Sequence, residues 1–257
     1  MEELLLAWYS RSGRDLPWRH TTDPYAILVS EVMLQQTQVD RVIPRYLGWL
    51  ERWPTATALA EAPTAEVIRA WQGLGYNRRA LALHRAAQAI ASDGWPDDLT
   101  RLAGVGRYTA GAVRAQADDI DVPAIEVNVR RVVERVAGRR LTTNAAEAES
   151  IRLGRGLAPR DRLLALMDVG ALLCRPRVPA CRDCPLRRRC ATRGPFDDET
   201  RHRQQPFEGS FRQRRGRVMA RLRVEPKVAI TELDGEALSS LVSDGLAVVD
   251  GGAATLP

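Results

Sequence analysis

The sequence predicts an all-α protein closed by a small α+β appendage, and three observations carry that reading. Over residues 39–92 apolar side chains recur at helical spacing, with neither strict alternation nor β-branched runs. The four cysteines all fall between Cys174 and Cys190. Beyond them the chain turns polar from Gly194 to Gln205, and the remainder reads helix, helix, hairpin, the order of a winged-helix-like fold.

Taken in order, Leu4, Leu5, Trp8 and Tyr9 place a short amphipathic helix over 2–12. Leu16-Pro17-Trp18-Arg19 breaks it, and Pro24-Tyr25 opens a longer helix through Thr37, with Ile27, Leu28, Val32, Met33 and Leu34 apolar and Glu31 among them. Further helices are expected at 39–52, 64–71 and 78–92, separated by Pro54, Pro63 and the turn Gly73-Leu74-Gly75-Tyr76. In Gly104-Val105-Gly106 two glycines let the backbone turn tightly and leave amide N–H groups at a helix N-terminus, an arrangement that suits a phosphate. Pro123 to Val132 ends a loop and begins a helix, and a helix at 161–173 leads into the cysteines. In the tail, helices at 211–223 and 234–243 precede two short strands around Asp250-Gly251.

Composition bounds the function. At 257 residues the chain can hold one large or two modest cores, and 45% hydrophobic with 27% charged residues describes an ordinary soluble protein. A formal charge of +6 favours polyanionic partners. No apolar run reaches membrane-spanning length, and Met1-Glu2-Glu3-Leu4 is not the start of a signal peptide. The expected place is therefore the cytoplasm, where thiols stay reduced and available to metal. Of 38 basic residues only Lys227 is a lysine, which leaves amine chemistry almost without a source.

Cys174, Cys181, Cys184 and Cys190 are separated by six, two and five residues. Thiolates clustered so tightly are a ligand set for zinc or for an iron–sulfur cluster. Zinc sites more often use two separated pairs or histidine partners, whereas here one short pair is flanked by single cysteines.

Together with the cysteine loop, Leu-Pro-Trp-Arg at 16–19, Ser-Glu-Val-Met-Leu-Gln-Gln-Thr-Gln at 30–38, Gly-Leu-Gly-Tyr at 73–76, Gly-Val-Gly-Arg-Tyr-Thr-Ala-Gly at 104–111 and Asn-Val-Arg-Arg-Val at 128–132 form an ordered series. The series resembles the adenine DNA glycosylase (MutY) family of the helix-hairpin-helix, or endonuclease III, superfamily over roughly the first 193 residues. The resemblance implies an endonuclease III-like fold: a six-helix barrel domain at 17–117 and an iron–sulfur cluster domain made of 1–16 and 118–193. A linker at 194–206 and the winged-helix-like 207–257 then complete the chain; that tail is too short for the family's 8-oxoguanine-reading domain.

The implied activity is hydrolysis of the N-glycosidic bond of a flipped base, adenine opposite 8-oxoguanine or guanine, in double-stranded DNA acted on by a monomer at the nucleoid. A sister glycosylase for uracil, mismatched thymine or hypoxanthine, and a lesion-binding protein with impaired catalysis, are the rival readings. Protonating a base ring nitrogen needs an acid, and Glu31 matches the family's. Glu126 takes the place of the family's second carboxylate, an aspartate, and Val127 that of the following glycine; Tyr108 and Asn128 complete the expected catalytic set. Tyr108 stands where lyase relatives carry a Schiff-base lysine, so a glycosylase without lyase action is expected. The four cysteines are expected to hold a 4Fe–4S cluster. For DNA contact the resemblance assigns Gln35, Gln36, Thr37, the wedge Tyr76, Gly104, Gly106, Arg107, Arg187 and Arg188, with Arg182 and Arg189 crowding the same cysteine loop. For the base pocket it assigns Trp18, Arg19, Leu34 and Leu164, the last in place of a polar residue.

Overall fold

A computed structural model describes residues 2–196 and 206–257, so most of the expected linker at 194–206 lies outside the described residues. The helices are α1 (Glu2–Ser12), α2 (Pro24–Leu34), α3 (Val39–Arg52), α4 (Ala56–Ala60), α5 (Thr64–Ala70), α6 (Arg78–Asp93), α7 (Arg107–Ala117), α8 (Val127–Ala137), α9 (Thr143–Leu153), α10 (Pro159–Asp168), α11 (Phe211–Val224) and α12 (Gly235–Ser243). The strands are β1 (Val228–Ala229), β2 (Val248–Asp250) and β3 (Ala253–Thr255). The chain divides into two compact units, Met1–Glu31 with Val105–Arg201, and Val32–Gly104 with His202–Pro257. These units and the expected domains are different partitions of the same helices.

In the first unit α8 is the central element. Its sequence puts Val129, Val132, Val133 and Val136 on one stripe, all buried against Leu153, Leu163, Leu166 and Val169. Valine is a mediocre helix former, so the helix owes its stability to that burial, about 1.5–3 kcal/mol for each fully covered side chain. Glu126 caps its start and Gly138, at φ 73°, ends it in the left-handed conformation. Beyond α10 the helix does not run on to residue 173 as α-helix. It widens into a π turn at Val169–Leu173, where a Cβ on Gly170 would stand 2.6 Å from the Cβ of Asn128. Only glycine allows α8 and this turn to approach so closely.

In the second unit α4 packs on α6, and the indoles of Trp49, Trp53 and Trp71 meet edge to face at 4.7 and 5.5 Å. The α2 helix stops at Leu34 rather than Thr37, because Gln36 adopts φ 58°, which a continuing helix does not allow. The two helices and the hairpin of the winged-helix-like tail form as expected, and a strand the sequence did not announce, β1, joins them to give the order β1-β3-β2, all antiparallel. Gly251 and Gly252 have φ 54° and 77°, the pair of positive angles that a two-residue hairpin turn requires. The tail does not keep a core to itself. Val218, Met219, Leu222, Leu238, Leu241 and Leu246 pack together with Ile68 of α5 and Leu81 of α6.

Candidate active site

Glu31 lies in α2, only 4% exposed. Gln116, from α7 and 1% exposed, donates its side-chain amide to Glu31 Oε1 at 2.9 Å. The Tyr108 hydroxyl is a second hydrogen-bond partner of Glu31. Burial pushes the Glu31 carboxyl above the ordinary carboxylate range; the Gln116 and Tyr108 hydrogen bonds oppose this, the Glu126 carboxylate adds to it, and the Arg19 guanidinium opposes it. The net effect is an acid that keeps its proton further towards neutrality, as a proton donor requires. Tyr108 is held well above its ordinary value by burial and by the charges of Glu31 and Glu126, so it remains a hydroxyl donor.

Glu126 is the N-cap of α8. Its carboxylate accepts the backbone N–H of Asn128 at 2.7 Å and of Val129 at 2.8 Å, and the Asn128 side-chain amide at 2.9 Å. Burial raises its pKa, against the pull of those backbone donors and of Arg131. The Asn128 side-chain oxygen in turn accepts from Arg131 at 2.6 Å, and Arg131 donates on to the carbonyls of Gly170 at 2.7 Å and Cys174 at 2.6 Å. A continuous run of hydrogen bonds thus leads from the cap of α8 to the first cysteine.

Arg19 grips Asp168 with both terminal nitrogens, at 2.6 and 2.8 Å, and Arg14 adds its backbone N–H and Nε to the same carboxylate. Asp168 is fully buried; burial would raise its pKa, but the hydrogen bond and charge of Arg19, with those of Arg14, prevail and hold it low. This network fixes the segment carrying Trp18 and Arg19. Trp18 and Leu164 are themselves 3% and 4% exposed, and Leu34 is half-buried.

The four cysteines line one pocket, together with Arg135, Leu173, Pro179, Arg187, Arg193 and Gly194. Arg135, 1% exposed, donates to the carbonyls of Arg175 and Pro176 at 2.9 and 2.6 Å and stands 3.4 Å from Cys174 Sγ. No three His, Cys, Asp or Glu side chains among the described residues converge as ligands of a single ion. Around this loop Arg182, Arg187, Arg188 and Arg189 are exposed.

In the turn before α7, Gly104 has φ 76° and lies where a Cβ would come 2.7 Å from Ala82 Cβ of α6. Gly106 caps α7 without a side-chain hydrogen bond to the amides of that end, and nothing lies within 4 Å of its would-be Cβ. Arg107, 67% exposed at the side chain, pairs with Glu147 at 2.7 Å.

Gln35 and Thr37 are half-buried, Gln36 is exposed and Tyr76 is 53% exposed. Both Gln36 and Tyr76 hold positive φ, 58° and 45°, a conformation that costs a non-glycine residue about 1–3 kcal/mol and clusters at functional sites. Arg79 holds both segments. It donates to the carbonyls of Val32, Met33 and Gln35 at 2.8, 3.1 and 2.5 Å, to Thr37 Oγ1 at 3.0 Å, and to the carbonyls of Leu74 and Gly75 at 2.9 and 3.2 Å.

The expected Glu31, Tyr108, Glu126 and Asn128 therefore stand in one unit, linked electrostatically and by hydrogen bonds, while the expected DNA-contact residues are distributed over both units. Sequence reasoning missed Gln116, Asp168, Arg131 and Arg79. A signal existed for the first: Ala112, Val113 and Gln116 share one buried face of α7, and a polar residue beside apolar neighbours there needs a partner.

Residues 29–154 match the family described as HhH-GPD superfamily base excision DNA repair protein. An adenine DNA glycosylase of Mycobacterium tuberculosis is 44% identical over 277 residues, covering 96% of this chain and 90% of that protein. A thermostable thymine-DNA glycosylase structure superposes with a TM-score of 0.67 at 29% identity, over 75% of this chain and 94% of that one. An endonuclease III trapped on DNA gives a TM-score of 0.62 at 20% identity, over 75% of this chain and 93% of that one, a likeness of fold.

Proposed function

Since this chain belongs to the HhH-GPD superfamily of base excision DNA repair proteins and groups there with the adenine DNA glycosylases, we propose that it hydrolyses the N-glycosidic bond of adenine mispaired with 8-oxoguanine or guanine in duplex DNA. The observation that carries the reading is the buried Glu31, held by Gln116 and Tyr108 in the same unit as the α8 cap Glu126. Glu31 donates its proton to a ring nitrogen of the flipped base, and the C1′–N bond breaks with its electron pair passing to the base. The sugar is left with oxocarbenium character, which the Glu126 carboxylate stabilises until water adds at C1′ and loses a proton. Free adenine and an abasic site are the products.

No lysine lies near this chemistry in sequence; the only one, Lys227, adjoins β1 of the tail. The proposed enzyme is accordingly a water-using glycosylase without amine-based strand cleavage, and borohydride should trap no protein–DNA adduct. Cys174, Cys181, Cys184 and Cys190 fit a 4Fe–4S cluster as its thiolate ligands, where it would supply a rigid template for the arginine-bearing loop. Gln35, Gln36, Thr37, Tyr76, Gly104 and Gly106 are the proposed DNA contacts of a monomer working in the cytoplasm.

Leu164, apolar where a polar group would read the base edge, keeps a different target base as a second reading. Single-turnover excision on duplexes carrying A, U, T or hypoxanthine opposite G and 8-oxoguanine tests both. Fastest release of adenine opposite 8-oxoguanine supports the first; a preference for another base selects the second, and no release from any duplex overturns both.

A further inference from the structure

The wedge turn carrying Tyr76 is held from two sides. From below, Arg79 bonds the Leu74 and Gly75 carbonyls, and Trp71 Nε1 donates to the Gly75 carbonyl at 3.0 Å. From behind, the next two residues are gripped by the C-terminal appendage. Arg223, near the end of α11, donates to Asn77 Oδ1 at 2.9 Å and to the Ile68 carbonyl at 3.3 Å. Arg69 of α5 returns a bond to the Arg223 carbonyl at 3.2 Å, and Arg78 faces Asp244, just past α12, at 3.6 Å.

Other arginines of α11 serve the appendage itself. Arg214 pairs with Asp234 and Glu236, Arg215 with Asp244, and Arg221 with Glu225 and Glu232. Arg223 differs in reaching out of the appendage to the residue beside the wedge. Its neighbours Leu222 and Val218 join Ile68 and Leu81 in a common core, so the guanidinium is presented from a rigid base. An exposed aromatic residue at positive φ keeps its direction only if the backbone around it is overdetermined, and Asn77 is the first residue after it.

We propose that the C-terminal appendage is a positioning device for base extrusion: through Arg223 and Asn77 it fixes the backbone from which Tyr76 enters the duplex. The appendage thereby acts on catalysis without a contact of its own to the reacting base. This rests on the reading above that Tyr76 is the wedge.

Full-length Arg223→Ala and Asn77→Ala, made alone and each combined with Tyr76→Ala, test it on duplexes with 2-aminopurine beside the target adenine, which brightens when the stack opens. Each single variant should lower saturating single-turnover excision and the fluorescence rise by about tenfold, within the range of coupling seen between contacting residues. Affinity for undamaged duplex and the melting temperature should stay near wild type. In the Tyr76→Ala background neither variant should slow excision further. Asn77→Ala leaves Arg223 in place, so a folding defect caused by the lost arginine would appear in only one of the pair. Excision at the wild-type rate in both variants, or losses that multiply with that of Tyr76→Ala, would overturn the proposal. If the wild-type protein releases no base, the glycosylase reading fails instead, and the fluorescence rise still reports on the brace.

Discussion

Glu126→Gln separates two jobs that one side chain performs. The carboxylate caps α8 through the N–H groups of Asn128 and Val129 and also accepts the Asn128 side-chain amide. Glutamine retains one accepting oxygen and turns the other position into a donor, so at least one of those N–H groups faces another donor. Leaving a half-buried donor unmatched costs about 1–3 kcal/mol, which in a protein of this size lowers the melting temperature by roughly 2–10 °C. Loss of the negative charge is a separate matter, and losing one preorganised electrostatic contact typically slows chemistry about 10²–10³-fold. Melting curves and single-turnover excision of adenine opposite 8-oxoguanine read the two effects independently. Glu126→Asp, shorter but charged and a better cap, should keep the melting temperature while changing the rate far less. A Glu126→Gln protein that excises within threefold of wild type, whatever its melting point, would refute the role assigned to this carboxylate.

Excision should decline as pH rises through the raised pKa of Glu31, because the protonated form is the donor; a rate that keeps climbing on the alkaline side would contradict this. The same shift links to stability: burial makes the folded state the tighter proton binder at Glu31, so its contribution is complete at low pH and is lost as pH rises through the folded value, measurable as a falling melting temperature. Gln116→Leu removes a donor that favours the ionised carboxylate, so the alkaline limb of the pH–rate profile should move to higher pH. Gly170→Ala drives a methyl to 2.6 Å from Asn128 Cβ and 2.8 Å from its carbonyl; overpacking of this kind costs about 1–3 kcal/mol, and the displaced Asn128 should slow excision with DNA affinity kept. Iron analysis and absorbance near 400 nm should find about four irons per chain, and a colourless zinc protein would remove the cluster from the mechanism.

Much of this was legible in the chain because it is written in local chemistry. Cysteine spacing, the Gly104 and Gly106 turn, and the Asp250-Gly251-Gly252 hairpin are each decided by residues within a few positions of one another. What escaped was decided elsewhere. Helix α9 carries little apolar periodicity, since only Ala146, Glu147, Ser150 and Leu153 are buried and two of these are polar. The stop at Leu34 has no glycine or proline to announce it; the backbone carbonyls around Gln35 are held by Arg79, far along the chain. Gln116 and Asp168 look like interruptions of apolar faces until their partners Glu31 and Arg19 are brought beside them. The partition into units was equally hidden, because it depends on which distant helices meet.

The hydrophobic seam that Ile68 and Leu81 share with α11 and α12 means that a gene shortened at the polar stretch before residue 206 would not yield a leaner enzyme. It would lay bare two core aliphatic side chains and strip Arg69 of its acceptor, an invitation to aggregate. A change to this tail is therefore tolerated only where it leaves the side chains packed on Ile68 and Leu81 in place.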